Sequence, residues 1–194
     1  MKTIIRTGLA VILLVAISCT KEPLQSPLAG NNQTKDNDAM KTKGHHIGER
    51  YGGGVIFWIK AKGQHGLIAD SIDLGQAAWY NGTFVITKAT GTGIGTGTAN
   101  TKKIIRSQGS VGTYAALLCA KSTRSGYTDW FLPSKDELNE LYERKTQVGI
   151  FINDYYWSSS EYSYTTAWQQ NFGDGNQHDD SKYLNAYVRA VRAF

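Results

Sequence analysis

The chain has 194 residues, 41% hydrophobic and 11% aromatic, the composition of a folding chain rather than a disordered one, and a length that suits one domain plus accessories. Its net charge of +5 is modest, with acidic and basic residues interspersed, so no concentrated basic face points to nucleic acid. Tyr (11) and Trp (5) together outnumber Phe (6), and 21 Gly against 3 Pro predict many tight turns and a strand-rich fold.

Lys2 and Arg6 precede an apolar run, Gly8 to Ile17, which is too short to span a bilayer comfortably and ends at Ser18-Cys19. This pattern resembles a bacterial lipoprotein signal peptide over residues 1–18, with Cys19 as the lipidated first residue of the mature chain. The alternative is an ordinary secretory signal with an incidental cysteine. Cys119 is then the one remaining thiol, so no intramolecular disulfide forms. Its apolar surroundings predict a buried, inert side chain. Residues 19–46 are polar and hold two of the prolines, and are read as a flexible tether with His45-His46 as a solvated pair.

The folded domain is predicted over residues 47–194. GGGVIF, HGLIAD and AAWY read as strands, and the glycine-alternating run Ala89–Lys103 as a long surface loop, its spacing not being that of a phosphate-binding loop. Two helices are expected. One covers Val111–Ser122; the other opens at Ser134, where Ser134 and Glu137 have capping-box spacing. In the second, Leu138, Leu141 and Tyr142 face inward and Glu137, Glu140 and Glu143 outward. YYWSSSE, TAWQQNF and YVRAVRAF follow as strands, which gives an α+β plan.

The stretch Gly173–Tyr187 reads as a polar loop, without an apolar side chain between Gly173 and Lys182. Asp174-x-Asn176-x-His178-x-Asp180 alternates donor atoms but lacks the glycine and distal Glu of a calcium loop, so no metal or other cofactor is assigned. Ser158, Ser159 and Ser160 lie outside any nucleophile elbow, and no catalytic residue is assigned. Tyrosines interleaved with Asn, Asp, Gln and His match the chemistry of a recognition surface, for protein or glycan. In VRAVRAF, strict alternation places Arg192 among apolar neighbours, so Asp129 or Glu161 is its expected partner.

GGGVIF (52–57), HGLIA (65–69), DWFLPSKDEL (129–138), YWSSSE (156–161) and VRAVRAF (188–194) stand in one order. Together they resemble the Legionella collagen-like adhesin C-terminal domain family. The resemblance implies a C-type-lectin-like fold with two helices, short antiparallel strands and long irregular loops. It also implies a surface or secreted setting, like that of the adhesin naming the family, which binds sulfated glycosaminoglycans. Related proteins are targets of diversity-generating retroelements, which rewrite adenines near the gene's 3′ end. Tyr164, Thr165, Thr166 and residues 178–187 fit such rewriting of asparagine codons, Lys182 excepted. The expected ligand surface is Tyr164, Thr165, Thr166, Asp174, Asn176, His178, Asp179, Asp180, Tyr183, Leu184, Asn185 and Tyr187. Trp157, Arg189 and Arg192 are expected to be structural. The signature of calcium lectins is missing, as is the cysteine pair of formylglycine-generating enzymes, which share the fold, so neither activity carries over. The expectation is an outer-membrane lipid-anchored surface protein that recognises an unknown protein or glycan. A non-diversified structural surface component is the alternative, with a divergent enzyme of that fold behind it.

Overall fold

The computed structural model describes residues 44–194. The expected signal peptide, Cys19 and the tether up to residue 43 lie outside the described residues. In chain order the elements are β1 (Arg50–Tyr51), β2 (Gly54–Lys60), β3 (His65–Ala69), β4 (Gln76–Ala78), α1 (Gly97–Gln108), α2 (Ala115–Lys121), α3 (Lys135–Glu143) and α4 (Lys145–Val148). Then come β5 (Tyr155–Glu161), β6 (Thr166–Asn171), β7 (Gln177–Ser181), β8 (Asn185–Tyr187) and β9 (Val191–Ala193). The strands form two open sheets, β1-β2-β3-β9 and β4-β8-β5-β6-β7. All pairings are antiparallel except β5 with β8. This is an α+β architecture and fits the C-type-lectin-like fold.

β5 divides the interior in two. Successive residues of a strand point to opposite faces. Trp157 therefore enters one cluster with Ile56, Ile68, Trp79, Ile104, Tyr114 and Leu117. Tyr156 enters another with Phe57, Phe131, Leu138, Leu141 and Phe172. Trp157 is fully buried, and its indole N–H donates to Ala77 O at 3.0 Å, so the polar edge of the ring is satisfied as well.

α3 begins with the expected capping box: the Glu137 N–H donates to Ser134 Oγ at 3.3 Å, and the Ser134 N–H to Glu137 Oε2 at 2.7 Å. Glu137 does not, however, share an outer face with Glu140 and Glu143; it is fully buried. Its carboxylate also accepts the Gly95 N–H at 2.7 Å. Burial pushes the carboxyl pKa up, against the opposing pull of these N–H donors.

That contact explains the first correction. The glycine run expected as a surface loop turns helical at Gly97, and a short α4 follows α3, so the described residues hold four helices rather than two. A Cβ on Gly97 would lie 2.2 Å from Glu137 Oε2, so only glycine lets the start of α1 close on this acid. The face that α1 buries is partly polar, with Asn100 and Thr101 beside Ile104. Asn100 Nδ2 donates to Gly91 O at 2.6 Å, and Thr101 Oγ1 accepts the Leu132 N–H at 3.0 Å. α2 starts later than expected, at Ala115.

Two further corrections concern the end of the chain. Gly173–Tyr187 is not a loop: it contains β7 and β8, held in the large sheet by pairing with β6, β4 and β5. VRAVRAF is not one alternating strand either. Val188, Arg189, Ala190 and Val191 are all buried as the chain crosses from the large sheet to the small one, where only Val191–Ala193 pairs with β3. At the other end, packing begins ahead of residue 47. The His45 N–H donates to Gly63 O at 2.9 Å, and its ring lies 4.0 Å from that of Tyr51 and 5.2 Å from that of Phe194.

Candidate functional site

The twelve expected ligand residues fall into five places. Tyr164 and Thr165 occupy the β5–β6 turn and Thr166 opens β6, while Tyr183, Leu184 and Asn185 lie at the β7–β8 turn. These two turns are neighbours, since the Lys182 N–H donates to Thr165 O at 2.9 Å and Thr166 pairs with Ser181. Asp174 and Asn176 sit in the β6–β7 turn, at the other end of that hairpin and roughly 16 Å away at about 3.3 Å per strand residue. There Asp174 accepts both the main-chain and side-chain N–H of Asn176 at 2.9 Å, which holds its carboxyl below the usual range.

His178, Asp179 and Asp180 lie along β7. His178 and Asp180 share a face, where Gln169 Nε2 reaches His178 Nε2 at 3.0 Å and Asp180 Oδ2 at 3.1 Å. Asp179 points to the other face, across from Trp168. Tyr187 is the misfit. It is half-buried and stacks on Tyr156 at 5.4 Å, so its ring belongs to the second core cluster.

Beneath the paired turns lies the residue that sequence reasoning set aside. Lys182 is fully buried, and its Nζ donates to Glu161 Oε1 at 2.7 Å, Tyr164 O at 2.9 Å and Val85 O at 3.3 Å. The Glu161 carboxylate in turn accepts the N–H groups of Thr87 at 2.9 and 3.0 Å and of Lys88 at 2.9 Å. One ammonium thus ties three segments together: the β5–β6 turn, the β7–β8 turn and the loop after Trp79. A buried charge is tolerated only when paired and hydrogen-bonded, and both members of this pair are. Glu161 was a sequence candidate for Arg192; it serves Lys182 instead.

The third segment was missed altogether. Tyr80, Phe84 and Tyr164 form a row with ring centroids 4.9 and 6.0 Å apart. Ile86 beside them is 62% exposed, and Tyr164 and Tyr183 are more than half exposed, so apolar surface gathers at these tips. Nothing in the sequence separates Tyr80 and Phe84 from core aromatics. Lys182 did carry a signal, as the lone base in an acid- and amide-rich run.

The arginines are placed as supports. Arg189 is buried and donates to Asp73 Oδ1 at 2.6 Å, Asp70 O at 2.9 Å and Ile150 O at 2.9 Å. Arg192 forks onto Asp129 at 2.8 and 2.9 Å and reaches Gly52 O at 3.0 Å. The hydroxyls of Ser158 and Ser160 donate to main-chain carbonyls, Trp168 O at 2.8 Å and Gly91 O at 2.7 Å, and His178 is engaged by Gln169. Cys119 is buried, and burial raises its thiol pKa far above the ordinary value, the opposite of what a nucleophile needs. Among the described residues, no group of three or more His, Cys, Asp or Glu side chains is arranged to hold a metal ion.

Comparison with known families gives a match to the Lcl C-terminal domain over residues 78–192. The chain belongs to this family. The Lcl match runs from the end of β4 into β9, so it takes in the four helices, the paired turns and the Lys182–Glu161 pair. The Lcl domain is of adhesin type, a cell-surface class rather than an enzymatic one. No curated protein matches the chain.

Proposed function

We propose that this protein is a lipid-anchored surface receptor that recognises a protein or glycan through the tips of its large sheet. The tips are the loop carrying Tyr80, Phe84 and Ile86, the turn carrying Tyr164 and Thr165, and the turn carrying Tyr183, Leu184 and Asn185. One observation carries this reading: exposed aromatics stand directly over a fully buried ion pair. Such a pair adds little net stability over an apolar replacement, but it fixes the geometry of what rests on it. Preorganised contact side chains lose less entropy on binding, which is how a small rim gains affinity. Membership of an adhesin-type family supports the same reading.

Attachment is through Cys19, motivated by the basic and apolar run before it, and places the domain at the outer membrane and facing outward. Rewriting of the gene's 3′ end fits the arrangement at the paired turns, where Tyr164, Thr165, Tyr183, Leu184 and Asn185 are exposed and Lys182, the exception, is the buried tie; Ala186, also open to it, is buried in β8.

The test replaces Tyr164 and Tyr183 with Ala together. Tyr164 holds Lys182 through its main-chain oxygen, so the tie survives the change. Binding to whole cells and to glycan and protein arrays is expected to fall to background, with unfolding unchanged. Retained binding with both rings gone would show that the ligand surface lies elsewhere. Amplicon sequencing of the 3′ end, with labelled-palmitate incorporation into wild type and Cys19→Ala, tests diversification and anchoring separately.

A further inference from the structure

β7 is an edge strand of the large sheet. Main-chain bonds from Asn171 N–H to Asn176 O and from Lys182 N–H to Thr165 O set the parity of its pairing with β6. By that parity residues 176, 178, 180 and 182 turn their peptide groups toward β6, and 177, 179 and 181 turn theirs away. The outward groups of Ser181 are already used: its N–H donates to Asp180 Oδ1 at 2.7 Å, and its C=O accepts the Leu184 N–H at 3.0 Å. Gln177 and Asp179 therefore present an N–H and a C=O each, while the stretch beside the tips is closed.

The side chains define what can pair there. Among the described residues the Asp179 carboxylate enters no ion pair, although the Lys135 ammonium lies over the ring of Trp168 across from it; β7 carries Asp179 and Asp180 with one histidine, His178, 3.9 Å from Asp180, and no Lys or Arg before buried Lys182. A second copy of β7 laid alongside would bring carboxylates against carboxylates, which destabilises cross-strand pairs. A strand bearing Lys or Arg would be attracted by the same charges.

We propose that the Gln177–Asp179 edge takes a short, extended, basic segment of a partner protein by strand addition. This rests on the recognition reading above and gives its edge a partner chemistry. Main-chain bonds to Gln177 and Asp179 hold the segment, and Asp179 selects a basic residue across from it. The Asp180 contact with Ser181 stops the added strand short of the tips.

The probe is a fluorescein-labelled peptide of alternating lysine and threonine, followed by anisotropy with the domain at low salt. Binding is expected, weakened about tenfold when alternate peptide nitrogens are methylated, because two main-chain hydrogen bonds are lost while every charge is kept. Asp179→Lys is expected to weaken it at least as much, and Asp179→Asn, which cannot upset folding through repulsion, to weaken it less. Equal binding of the methylated peptide, or no binding by the wild-type domain, overturns the proposal. Tyr164→Ala/Tyr183→Ala is expected to keep the peptide. If the peptide fails but that variant still loses cell and array binding, the edge proposal falls and the recognition reading stands.

Discussion

Replacing Lys182 with Met keeps most of the buried stem and removes the ammonium. Three donated hydrogen bonds are lost, and the Glu161 carboxylate, 3% exposed, remains in the interior without its countercharge. Removing one partner of a buried ion pair costs about 3–5 kcal/mol. Here the Thr87 and Lys88 N–H groups still bond Glu161, so the lower end applies, about 3 kcal/mol. In a domain of this size that lowers the thermal midpoint by about 6–12 °C. Urea unfolding followed by tryptophan fluorescence is a direct assay, since the Trp79 ring lies 4.9 Å from the ammonium. Adding Glu161→Gln removes the stranded charge, so the double variant should recover at least about 1 kcal/mol relative to the sum of the single losses. A Lys182→Met loss below about 1 kcal/mol, or plain additivity in the cycle, would refute the claim that this pair ties the tips together.

Other consequences can be measured independently. Arg192→Leu removes the fork on Asp129; because that carboxylate is half exposed, a loss of only about 1–2 kcal/mol is expected in urea titration, and an unchanged midpoint would contradict the structural assignment. The hydrogen bond from Arg192 holds the Asp129 carboxyl below its usual range, so this stabilisation is complete above the ordinary carboxylate pKa and fades as pH falls through the lowered one. Glu137 has the opposite sign. Its raised pKa makes the folded state bind the proton more tightly, so wild type should gain stability relative to Glu137→Gln as pH falls from neutral toward 4.5, and a flat difference curve would argue against a buried acid at that position. Cys119 should stay unalkylated by iodoacetamide in the native protein and react on unfolding, as read by mass spectrometry of its peptide.

What could be read from the chain depended on how local the cause was. The Ser134–Glu137 box spans four residues, and its spacing alone discloses it. The start of α1 depends on Glu137, forty-two residues away from Gly95 in sequence, and no window of sequence around the glycine run contains that acid. β7 was hidden for a different reason. Its residues QHDDS are polar on both faces, so the alternation that marks a half-buried strand is missing, and only pairing with β6 makes it one. The Arg192–Asp129 pair was foreseeable because an arginine among apolar neighbours needs an acid. That the other candidate, Glu161, belongs to Lys182 follows from a turn geometry that composition does not encode. At the tips, Tyr164 and Tyr183 are exposed, as a contact surface requires, whereas Tyr187 has the same side chain and the opposite environment, stacked on Tyr156.

The contact between His45 and Phe194 has a consequence for engineering and for gene architecture. The chain enters and leaves the domain side by side, with the two rings 5.2 Å apart and Tyr51 touching both. A unit whose ends meet can be spliced into a surface turn of a host protein with short connectors, or closed by a linker and reopened at another exposed turn, without stretching its interior.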